Sequence, residues 1–195
     1  MKEDKLTKSL VNNYKTETEL WDKRIVNPEE HYNHYGDRGA ADLFVRQIEK
    51  RYTGHHLEDH IYEIKADVED IDRCNPVIRQ FKRMVKYFYK GTSHSEPDRA
   101  TFELTFIPNE STILHVLENL DIYREVQQSG QHTSQIAFRH PENLRPIHIC
   151  PGGVEEAKLL EPKWWEYCEE NNEEVHSIFQ RVVSNQKPTK YHEVE

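Results

Sequence analysis

IYEIKAD, residues 61–67, is an apolar run broken by one acid and one base, Glu63 and Lys65. Successive side chains of a β-strand point to opposite faces, so Glu63 and Lys65 share one face of such a strand while Tyr62, Ile64 and Ala66 share the other. On a half-exposed strand the two charges would be a surface ion pair of little worth. On the floor of a site they would be chemistry. The stretch alone leaves both readings open, and the choice falls to what the chain places around it.

Upstream, Leu6, Leu10, Tyr14, Glu17 and Trp21 recur at spacings of three and four, which predicts a helix over 4–22 with Glu17 in line with the apolar stripe. RIVNPEE from Arg24 reads as a short strand ended by Pro28, HYNHYGDRG as a polar loop, and AADLFV (40–45) as a compact apolar strand with Asp42 near its start. The polar stretch 46–59 contains a Thr53-Gly54 turn and joins that strand to IYEIKA as a loose antiparallel hairpin. Downstream, PVIRQFKRMVKYFYK is a helix starting at Asn75-Pro76, with Val77, Ile78, Phe81, Met84, Val85 and Phe88 on its apolar face. FELTFI (102–107) reads as a strand, STILHVLENL (111–120) as a short helix opened by Ser111, and DIYREV as a further strand.

That order of elements belongs to an α/β fold, a mixed central sheet flanked by helices. Residues 1–126 are expected to form the core, and 127–195 an extension packed on it, with a hairpin in QIAFRHPENLRPIHIC and helical sequence beyond, its last helix marked by Val175, Ile178, Phe179 and Val182. The chain of 195 residues has neither an internal repeat nor a low-complexity tract, which excludes the repeat architectures. MKEDKLTKSL lacks an apolar signal region, no apolar run is long enough to span a bilayer, and Cys74, Cys150 and Cys168 form no paired framework. The expectation is an intracellular, cytoplasmic protein.

The net charge of −9 gives no global attraction for nucleic acid, so an anionic partner must be met by a local patch. One is present. On the helix after Pro76, Arg79, Lys82, Arg83, Lys86 and Lys90 lie opposite the apolar stripe, and no acid occurs between Asn75 and Lys90. Solvated helix faces usually mix signs, whereas a surface that tracks phosphates does not. His31, His34, His55, His56, His60 and the His148-x-Cys150 pair lack the spacing of a zinc finger, and Trp164-Trp165 reads as helix packing.

A strand acid, Asp42, then Glu63-x-Lys65 on the next strand, a helix with an inward acid before them and a basic helix after them resembles the PD-(D/E)xK nuclease superfamily over roughly residues 5–126. The resemblance implies a restriction-endonuclease-like core in which Asp42 and Glu63 bind one or two divalent metals, Mg²⁺ or Mn²⁺, and Lys65 contacts the scissile phosphate or the attacking water. The residue types suit that chemistry, because hard cations prefer carboxylate oxygens and a neighbouring ammonium stabilises developing negative charge. By the same resemblance Glu17, or else Glu19, is the helix acid, Gln80 is the glutamine on the helix after the ExK strand, and Arg38 in Gly36-Asp37-Arg38-Gly39 lies near substrate. The chain departs from the motif at its proline, which is Ala41 here.

The function expected is therefore a metal-dependent nuclease acting on DNA as an endonuclease. Its rivals are a catalytically inactive nuclease-fold module that binds nucleic acid or protein, and an unrelated α/β protein. DNA against RNA, cleavage mode, specificity, pathway and oligomeric state, including a homodimer, stay open at this level.

Overall fold

The structure, a computed structural model, describes residues 2–17, 21–67, 71–126, 132–149 and 162–185. Its elements are α1 (Lys2–Thr16), β1 (Lys23–His34), β2 (Asp37–Arg51), β3 (Gly54–Lys65), α2 (Ile71–Gly91), β4 (Arg99–Phe106), α3 (Glu110–Glu118), α4 (Leu120–Arg124), β5 (His132–His140), β6 (Asn143–His148), α5 (Pro162–Asn171) and α6 (Glu173–Asn185). The strands form one mixed sheet in sequence order, with β3, β4 and β5 parallel to their neighbours in that run and the remaining pairs antiparallel. This is the expected α/β architecture.

The period of two along β2 and β3 separates two cores. Leu43, Val45, Tyr62 and Ile64 face α1 and pack on Leu6 and Leu10. Phe44 and Ile61 face the other way, onto Ile78, Phe81, Met84 and Phe88 of α2, in the larger core that continues under α3, α5 and α6.

Several local readings change. The first helix stops at Thr16 instead of running to residue 22. Pro28 does not end β1 but lies within it, where β1 is the edge strand and a missing N–H breaks no ladder bond on its open side. HYNHYGDRG is not a loop: His34 pairs with Asp37 across the turn Tyr35-Gly36, whose φ angles of 49° and 94° match a primed hairpin turn. α2 begins at Ile71, so Pro76 is inside it. Asn109, not Ser111, caps α3, accepting from the Thr112 N–H at 2.9 Å. DIYREV is helix α4 with its following turn, because Tyr123 is fully buried there with its hydroxyl 2.9 Å from His115 Nε2, and a short apolar run carries too little periodicity to reveal this.

The sheet also runs across residue 126. β5 pairs with β4 from Ala100↔His132 to Phe106↔Phe138, and β6 pairs with β5. Phe179 of α6 meets Phe138 edge-on at 5.5 Å. β4 and β5 are joined by a buried ion pair: Arg139 donates from Nε and Nη2 to the Glu103 carboxylate at 2.6 and 2.8 Å, and from Nη1 to the Leu144 carbonyl at 2.6 Å. Thr105 and Gln135 donate to the same carboxylate. Burial alone would raise the Glu103 pKa, yet Arg139 and these donors hold it at about 2. Arg139→Met leaves that carboxylate buried without its partner, and the expected loss is about 3–5 kcal/mol of unfolding free energy, measured by urea denaturation. Replacing Glu103 with Gln in the same protein should restore much of it.

Candidate active site

β2 and β3 hold their ladder from Arg51↔Gly54 up to Leu43↔Tyr62 and no further. Beyond that point β2 continues paired only with β1, while β3 continues beside β4 as far as Lys65↔Phe106. The next residues on the two strands are Asp42 and Glu63, at the place where the ladder ends. Asp42 bridges the opening with its side chain: Oδ2 accepts from the Ile64 backbone N–H at 2.6 Å, replacing a ladder bond.

Glu63 and Lys65 share the α2 side of β3, as the period of two requires. Lys65 Nζ is 2.5 Å from Glu63 Oε1, which also accepts from Gln80 Nε2 of α2 at 2.7 Å. The other carboxylate oxygen, Glu63 Oε2, is buried and has no hydrogen-bond partner. Burial dominates the electrostatics. It pushes the Glu63 pKa up to about 7, with Lys65 opposing and Asp42 adding to the rise. Burial likewise raises Asp42, against the Ile64 N–H and Lys65. Burial works against the Lys65 ammonium, but Glu63, Asp42 and Glu3 raise its pKa, so it stays protonated. Two carboxyls disfavoured as anions and one orphaned oxygen mark a place short of positive charge.

Asp42, Glu63, Lys65 and Gln80 thus come together. Glu17 does not join them. It follows the end of α1, is exposed, and lines a groove with Tyr14, Arg139 and Asn143. Glu19 lies outside the described residues. The acid that α1 delivers is Glu3, whose Oε1 accepts from the Ala66 N–H at 2.9 Å and whose charge acts on Asp42, Glu63 and Lys65. The sequence held that signal, since Glu3 precedes Leu6 by three and shares its stripe with Leu10. Tyr32 was also missed: its buried ring lies under Gly39, and its hydroxyl feels Arg83 and Glu63.

Arg79, Lys82, Arg83, Lys86 and Lys90 are exposed along α2. Lys82 lies 3.8 Å from Glu125, and the Lys86 and Lys90 ammoniums sit 4.9 and 6.0 Å from the Tyr87 ring centroid. Arg38 is exposed on β2, beside a cavity of about 500 Å³ that Tyr32, Asn33 and Gly91 also line.

A family model described as a PD-(D/E)XK nuclease superfamily domain matches residues 1–146. The chain belongs to the PD-(D/E)XK nuclease superfamily. No curated protein and no solved structure matches it. Nucleases of this superfamily generally use divalent metals. Among the described residues no group of three or more His, Cys, Asp or Glu side chains is gathered to hold an ion. The donors that suit a hard cation are the carboxylates of Asp42 and Glu63, and the partnerless Oε2 of Glu63 is the atom such an ion would satisfy.

The raised Glu63 pKa makes the metal-free fold pH-sensitive. Folding lifts this carboxyl from 4.5 to about 7, so the folded state holds the proton more tightly, and the associated stability is complete below pH 4.5 and lost as pH rises through 7. The shift corresponds to roughly 3 kcal/mol. Urea unfolding in EDTA across that window should show the decline, and Glu63→Gln, which cannot ionise, should flatten it to the smaller slope left by Asp42.

Proposed function

We propose that this protein is a Mg²⁺- or Mn²⁺-dependent nuclease that hydrolyses phosphodiester bonds of DNA as an endonuclease. The observation that carries the reading is the orphaned Glu63 Oε2 beside Asp42 and Lys65 at the foot of the cationic face of α2. A hard cation held by Asp42 and Glu63 supplies, when bound, a water of lowered pKa and positive charge for the developing phosphorane.

The chain's own residues do the rest. Gln80 fixes the Glu63 carboxylate from α2, and the Ile64 N–H fixes that of Asp42 from β3, so both are oriented before an ion arrives. Lys65 keeps its proton and lies on the same face, where its ammonium stabilises charge on the phosphate in the transition state. The cations of α2 hold the flanking phosphates, with Arg38 on the neighbouring strand.

The test is cleavage of supercoiled, linear and single-stranded DNA and of RNA with Mg²⁺ or Mn²⁺, using Asp42→Ala as the control. Lys65→Ala should reduce the cleavage rate by orders of magnitude while metal binding persists, because an ammonium is no ligand. Lys65→Arg should rescue poorly, since a planar guanidinium cannot occupy the ammonium's position. Glu63→Gln should lose metal affinity and cleavage together. A Lys65→Ala protein that cuts at the wild-type rate contradicts the mechanism, and a wild-type chain that cuts none of these substrates returns the protein to a nucleic-acid-binding module.

A further inference from the structure

The turn between β1 and β2 is built against local preference. Tyr35 occupies its first position with φ at +49°, a conformation that suits Gly, Asn or Asp and is unfavourable for a bulky side chain. The strain buries nothing, because Tyr35 is 97% exposed. Only Tyr52 is comparably exposed among the described large apolar side chains, and it sits in the β2–β3 turn at the far end of the strands. Strain kept at an unburied ring points to a use outside the fold.

The surroundings say what would meet it. The Tyr35 ring meets His34 edge-on at 4.8 Å, and His34 stacks on Tyr87 of α2 at 5.5 Å. Lys86 and Lys90 carry their ammoniums over Tyr87. Asp37 is the acid that acts on Lys86 here, and it lies at the base of the turn. Rings interleaved with cations are the surface that single-stranded nucleic acid uses, bases stacking on the rings while ammoniums meet the phosphates. The position agrees. Gln80 touches Glu63, and Tyr87 is seven residues further along the same helix, about 10 Å at 1.5 Å per residue. A strand lying along α2 covers that span within a few nucleotides.

We infer that the Tyr35 hairpin tip, backed by His34 and Tyr87 and flanked by Lys86 and Lys90, is a stacking platform for an unpaired base, so that the preferred substrates are single-stranded or branched DNA. This rests on the nuclease reading above. Within a duplex both faces of a base are covered by neighbouring pairs, and an exposed ring finds nothing to stack on. Where a strand is unpaired, the platform holds a base aside while the adjoining backbone reaches the Asp42 and Glu63 carboxylates.

The experiment measures binding in EDTA, so that no cleavage is needed, of fluorescent single-stranded DNA and of the duplex of the same sequence to the full chain. Tyr35→Asn keeps a residue that suits the turn, so it should fold with an unchanged or higher Tm while lacking the ring. It should weaken single-strand binding by at least about five-fold, the low end of the worth of one stacked base, with duplex affinity within about two-fold of wild type. Tyr35→Phe should bind as wild type, since stacking needs the ring and not the hydroxyl. Tyr52→Asn should change neither. Unchanged single-strand affinity in Tyr35→Asn, equal losses on both DNAs, an equal loss in Tyr52→Asn, or no binding of the oligonucleotide by the wild-type chain overturns the inference. Mg²⁺-dependent cleavage by the wild-type chain separates the two claims: cleavage with unaltered Tyr35→Asn binding removes the platform alone, and absence of cleavage removes the nuclease whatever the binding shows.

Discussion

The short bond from the Ile64 N–H to the Asp42 carboxylate marks where β2 and β3 stop being a ladder, and everything in the site follows from that parting. Were the strands paired one step further, the two backbones would satisfy each other and leave no opening. The side chain of Asp42 takes over a backbone partner instead, which fixes its own orientation and frees the neighbouring position for Glu63. Because β3 then runs on beside β4, the Glu63 and Lys65 face stays rigid up to the last residue of the strand. A site on strand ends of this kind is held more accurately than one on a loop.

Buried charge is used in two ways in this sheet, and the contrast separates scaffold from site. Glu103 and Arg139 are fully satisfied, as are Arg46 and Asp59, paired at 2.7 and 2.8 Å with Tyr89 donating to the same carboxylate. These groups join strands, and none of their buried side-chain atoms is left without a partner. Glu63 has one oxygen saturated by Lys65 and Gln80 and the other left without a partner inside the protein. A buried carboxylate in that condition lowers the stability of the metal-free fold at neutral pH, and an oxygen left open is what the proposed cation would satisfy.

What the sequence made legible was whatever strand or helix period controls. The pairing of Glu63 with Lys65 on one face, the β2–β3 hairpin and the apolar stripe of α2 all follow from spacing. Glu17 also falls on the stripe, and spacing cannot report that α1 stops at Thr16 and leaves Glu17 exposed, away from the Asp42 and Glu63 cluster. Glu3, on the first turn, satisfied the same period and was the residue delivered. The strand reading of DIYREV failed for lack of length, and HYNHYGDRG hid a hairpin because Tyr35 is not a residue that the turn chemistry favours. The orphaned oxygen, the bridge to Ile64 and the ladder's end are properties of register, which no single strand encodes.

A single cation seat made by Asp42 and Glu63 at the parting of β2 and β3 is what the proposed function rests on. The direct measurement is the melting temperature at neutral pH with and without Mg²⁺ or Mn²⁺, in the wild type and in Asp42→Asn, taking only the metal-dependent difference because removing an acid from this cluster stabilises the metal-free fold by itself. A shared seat raises the melting temperature with metal in the wild type, and Asp42→Asn largely abolishes that rise. An equal rise in both proteins would place the metal elsewhere and contradict the shared seat.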